Sequence, residues 1–140
     1  MPQPILSLDS SVRVVRILYA VILYSMLLFI LMAERFLHYE PHDVHLIWMV
    51  FLVTSLMVIG VAVFFRLKTL QPAAETLQTI PDDRTAASRW RFGNILSFAL
   101  AESLLLFGFA LRFLGGTTWQ SVPFYVVGIA LMLVWRPRRP

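Results

Sequence analysis

Cysteine is absent from the 140 residues. This excludes disulfides, thiolate catalysis and cysteine metal centres together. Charge is scarce as well, at 14% Asp, Glu, Lys and Arg, too little polar surface to coat a soluble domain of this size. No glycine-rich phosphate loop, HExxH pair or GxSxG elbow occurs, so the local chemistry of those enzyme classes is missing. The three histidines sit together at 38, 42 and 45, while Ser25, Ser55 and Ser103 fall deep within apolar runs. No serine has a base at its own level. A non-enzymatic chain is expected, with no cofactor and no resident metal.

What the sequence has in quantity is apolar residues, 59% of the total, with a mean hydropathy of +0.74. They fall into four long runs. About 20 residues at 1.5 Å rise cross a hydrocarbon layer of roughly 30 Å, so the expectation is an all-α, integral membrane four-helix bundle. The pattern divides into an N-terminal segment 1–13, a first span 14–37, a turn 38–43, a second span 44–65 and a loop 66–89, within which residues 73–80 between Pro72 and Pro81 could form a turn or two of interfacial helix. A third span 90–114, a turn 115–118, a fourth span 119–135 and a basic tail 136–140 follow. The first run is longer than the 7–15 residues of a signal-peptide core, and three more follow it, so it reads as a span. Asp9, Ser10 and Ser11 offer N-cap atoms ahead of it. Consecutive helices are expected to be neighbours.

Orientation follows from Lys and Arg. Arg13, Arg16, Arg66, Lys68, Arg84, Arg89, Arg91, Arg136, Arg138 and Arg139 flank one side, against Arg35 and Arg112 on the other. Ten against two places both termini and the 66–89 loop in the cytoplasm, with the chain expected to be a multi-pass membrane protein. The net charge of +4 forms no stripe for nucleic acid. Membrane lipids are the partners it suits. Arg35–Phe36–Leu37 and Arg112–Phe113–Leu114 echo each other, which raises the possibility of two related hairpins.

One carboxylate, Glu102, lies near the middle of the third run. A charged group there costs roughly 2.5–3.5 kcal/mol or more and normally faces protein or water. Counting from the span ends brings Tyr24, Ser25, Thr54, Ser55, Ser103 and Tyr125 to a similar depth, so a hydroxyl network around Glu102 is expected. The segment Ala99–Leu100–Ala101–Glu102–Ser103 with Gly108 resembles the carboxylate helix of the rotary ATPase proteolipid subunits. That resemblance implies an ion-carrying Glu102 with Ser103 beside it. It spans about ten residues, and the alternating glycines of that family's partner helix are absent here. The third-helix pattern also resembles that of small bacterial four-helix membrane proteins of no assigned activity, which implies a bacterial inner (plasma) membrane location.

At the opposite face to the loop, Glu34, His38, His42 and His45 crowd together, residue types suited to a divalent ion or a pH response; ordinary solvation is the expectation. Glu34 or Arg35 could pair with Arg112 across helix ends. The leading expectation is a subunit or stabiliser of a larger membrane assembly, as a homo-oligomer or with a membrane-protein partner. The alternative is a proton- or cation-binding channel or carrier component centred on Glu102.

Overall fold

The computed structural model describes residues 8–36, 40 and 42–140; His38 lies outside them. All regular structure among these residues is helical. The elements are α1 (Leu8–Phe36), α2 (His45–Phe65), a π-helical turn (Arg66–Leu70), α3 (Gln71–Thr79), α4 (Arg84–Phe113) and α5 (Thr118–Val134). Three helices are long and apolar enough to cross a membrane: α1, α4 and the continuous rod His45–Thr79 made of α2, the π turn and α3. The fourth apolar helix, α5, has 17 residues.

The architecture is centred on α4. Its buried residues recur from Ala86 to Leu111, and α5, α1, α2 and α3 all pack against it. Two edge-on ring pairs join α1 to α4, Tyr19–Phe98 and Phe29–Phe109, each with centroids 5.4 Å apart. Phe51 of α2 stacks on Phe107 at 5.0 Å. The α4–α5 seam is closest because each helix brings a glycine to it. A methyl group on Gly108 would lie 2.6 Å from Tyr125 Cε1, and one on Gly128 would lie 3.1 Å from the Ala101 carbonyl oxygen. Such small residues let helix backbones approach without a water-driven hydrophobic force.

The expected packing of consecutive helices holds for α4 and α5 and fails for α1 and α2. Those two share no substantial contact among the described residues, and each reaches the other through α4. The two hairpins are therefore packed differently, despite their similar ends.

The 66–89 stretch also differs from a loop. Only Ile80–Asp83 separates α3 from α4, and α4 begins at Arg84 rather than 90. Leu70, Ala73 and Leu77 are buried at helical spacing and join Ala86, Ala87 and Trp90 in one core, with Leu70 seated against Gly93. The polar positions between them hid this amphipathic face from hydropathy. The π turn ends two residues before Pro72, and Gln71 N–H reaches back to the Arg66 carbonyl. Proline cannot donate and its ring crowds the carbonyl four residues back, so a wider turn lets the rod continue. Asp83 caps α4, accepting from the N–H groups of Thr85 at 2.8 Å and Ala86 at 3.1 Å. At the other terminus, α1 already covers Asp9, Ser10 and Ser11, so these residues lie inside the helix rather than capping it.

Candidate functional site

Glu102 lies at the α1 edge of the side of α4 that is left open among the described residues. Moving along that side, Ala99 and Leu106 are exposed while Glu102 and Ser103 are half-buried, the i, i+3, i+4, i+7 positions of one helical face. Because α1 and α2 flank α4 without meeting, a strip of α4 is left open between them. Ser25 of α1 donates to Glu102 Oε1 at 3.3 Å, a long hydrogen bond.

The other hydroxyls do not close around it. Thr54 donates to the Val50 carbonyl at 2.8 Å, Ser55 to Phe51 at 2.7 Å and Ser103 to Leu100 at 2.7 Å. Each satisfies itself on its own helix, the usual resort of Ser and Thr in apolar surroundings. Tyr24 is 64% exposed. Tyr125 is buried on α5 with its ring against Gly108, away from Glu102. Residue counting did not give the direction of these groups around each helix, and it put Tyr125 level with Glu102, whereas its ring packs against Gly108, six residues further along α4. Of six expected neighbours, the structure brings Ser25 alone to Glu102.

A second polar group ties the far ends of three helices. Arg112 Nε lies 3.1 Å from Glu34 Oε1, with side-chain exposures of 18% and 31%. The distance makes this an ion pair, although the N–H does not aim along a good hydrogen-bond line. Arg112 Nη1 donates to the Gly116 carbonyl at 2.7 Å, and Thr118 donates to Glu34 Oε2 at 2.9 Å. The sequence pointed to Glu34 and Arg112. It gave no sign of Thr118, whose role depends on how α4 ends.

That ending is a Schellman turn: Gly115 N–H reaches Arg112 O at 3.2 Å and Gly116 N–H reaches Leu111 O at 2.7 Å, with Gly115 at φ 90°. Thr117 and Gln120 then form a capping box that starts α5. Together these place the Thr118 hydroxyl over Glu34.

The histidines serve the same end of the bundle. His42 N–H donates to the Gly115 carbonyl at 3.2 Å and its Nδ1 lies 2.7 Å from the Glu40 carbonyl oxygen. His45 stacks on Trp48 with centroids 5.9 Å apart, and Trp48 Nε1 donates to Gln120 O at 3.1 Å. Among the described residues no three His, Asp or Glu side chains come together as metal ligands would.

Comparison with protein-family models, curated proteins and solved structures returned no match.

Proposed function

We propose that this chain is a small, non-enzymatic, multi-pass protein of a bacterial inner membrane that acts as a subunit or stabiliser of a larger membrane assembly. Both termini and the α3–α4 end are cytoplasmic in this reading, as the distribution of Lys and Arg requires. The open strip of α4 receives a helix of a second copy or of another membrane protein.

The observation that carries this is the half-buried Glu102 with a single 3.3 Å hydroxyl partner. One such bond contributes about 0.5–1.5 kcal/mol, less than the roughly 2.5–3.5 kcal/mol that a charged group costs at mid-membrane. A neutral acid in lipid would still leave polar atoms without partners. A covering helix that offers a donor or acceptor offsets the difference. Alanine and serine at 99 and 103 keep the strip shallow enough for close approach.

Ala99→Cys and Leu106→Cys test the reading, since the chain has no native thiol. Oxidative or bifunctional cross-linking in native membranes should give a discrete higher-mass adduct at both positions. Val126→Cys, exposed on α5, should give none. Absence of adducts at 99 and 106, or equal yields at all three sites, would refute it. Proton or cation flux in liposomes that Glu102→Gln abolishes would replace it with an ion-handling role.

A further inference from the structure

We propose that the end of the bundle carrying the C-terminal tail holds a phosphate-bearing anion between Arg66 and the tail arginines. A cavity of about 360 Å³ there is lined by Arg66, Arg136, Arg138, Arg139, Gln71 and Gln78, with no Asp or Glu in its wall and Pro140 at its edge. Its volume falls within the range of small-molecule sites.

Three of the four arginines are not consumed by ion pairs within the fold. Arg139 pairs with Asp9 at 2.7 Å, while Arg66, Arg136 and Arg138 have no acidic partner among the described residues. The Arg66 guanidinium lies over the Trp135 ring, 5.0 Å from its centroid. Stacking fixes the plane of the group and leaves its N–H edge free. Arg66 Nη1 is buried with no hydrogen-bond partner. A buried donor in that state is unfavourable until an acceptor arrives, and a phosphate oxygen matches the guanidinium fork.

Sequence accounts for the preorganisation. Pro137 and Pro140 fix backbone torsions on either side of Arg138 and Arg139, and Pro137 is itself buried. The tail therefore loses little freedom on binding. Asn94, 2% exposed, adds a polar side chain to the wall. Its Nδ2 donates to the Trp90 carbonyl at 2.9 Å.

A phosphate can come from a lipid headgroup or from a soluble compound. A neighbouring groove of about 550 Å³ shares Arg136 and runs past Arg16 and Tyr19 to Leu23 and Leu133. Charge at one end and leucine at the other is the profile of an anionic phospholipid, and basic pockets between helices at a cytoplasmic boundary suit such headgroups.

The test uses purified full-length protein in mild detergent. Phosphatidylglycerol, phosphatidylcholine and inorganic pyrophosphate are added separately, and bound lipid is read by native mass spectrometry beside the thermal midpoint. Phosphatidylglycerol should be retained at least tenfold over phosphatidylcholine. Arg66→Gln, and separately Arg136→Gln with Arg138→Gln, should each reduce retention about tenfold. Arg84→Gln with Arg89→Gln, outside the cavity, should not.

The tail variant keeps the test decisive if Arg66→Gln fails to fold. Stabilisation by pyrophosphate alone, lost in the same variants, supports the anion site with a soluble source. No effect of either anion, or equal effects in all variants, overturns it.

Discussion

Replacing Gly108 by alanine probes the closest seam in the molecule. The new Cβ would sit 2.6 Å from Tyr125 Cε1, 2.8 Å from Cδ1 and 3.0 Å from the Ser121 carbonyl oxygen. Carbon atoms pack comfortably at about 3.5–4.0 Å, so the ring must retreat by roughly 1 Å. It cannot do so alone, because Tyr125 is 5% exposed and Ser121 fully buried; α5 must shift with it. Overpacking of this kind costs about 1–3 kcal/mol, against a helix-propensity gain of about 1 kcal/mol for Gly to Ala. The net expectation is a loss of up to about 2 kcal/mol.

Gly60 supplies the control, since nothing lies within 4 Å of a Cβ built there. Gly60→Ala should keep the propensity gain and match or exceed wild type. The assay is reversible unfolding in mixed micelles, with both variants and wild type in the same detergent. The difference between the two variants should be about 1–3 kcal/mol with Gly108→Ala the weaker. Equal stabilities, or Gly60→Ala the weaker, would refute the argument that the α4–α5 seam is set by backbone approach.

Removing one partner of the Glu34–Arg112 pair should cost about 1–3 kcal/mol by stranding the other. A double-mutant cycle with Thr118→Val should show coupling of at least ~0.5 kcal/mol, and additivity would sever the network. For orientation, Cys at Glu40 should react with an impermeant thiol reagent on intact cells while Cys at Glu75 should not; the reverse pattern inverts the topology. Calorimetry should show no zinc binding tighter than ~10 µM, roughly −7 kcal/mol, and a stoichiometric isotherm lost on joint His38, His42 and His45 replacement would contradict this. Glu102→Leu should loosen assembly in native gels while Glu102→Gln, which keeps the hydrogen-bonding capacity, should preserve it. Equal behaviour of the two would remove the polar role given to Glu102.

The apolar runs were legible because transfer free energy depends on composition along the chain, and α1, α2, α4 and α5 fall where the runs do. The Glu34–Arg112 pair was legible for a related reason, since both sit at run ends of matching depth. Direction around a helix was not. Thr54 and Ser55 bond to their own preceding turn, a choice made by neighbours that the sequence does not order. A turn or two of helix over 73–80 was legible between Pro72 and Pro81, but its packing on an α4 that begins at Arg84 was not, because the prolines and several charges outweigh three spaced apolar residues in any average. Leu70, Ala73 and Leu77, at i, i+3 and i+7, were the available sign.

The position of α4 in the chain has a consequence for biogenesis. The helix on which the others pack is preceded by α1, α2 and α3 in order of synthesis. At about 5–20 residues per second, residues 84–113 take roughly 2–6 s to emerge. On the membrane reading proposed above, α1 and α2 wait through that interval without the helix they pack against, since they share no substantial contact of their own among the described residues. Residues 84–140 hold both sides of the glycine seam and can pair as soon as they are made. The order of packing expected from these contacts is second half first, with the first half recruited to it.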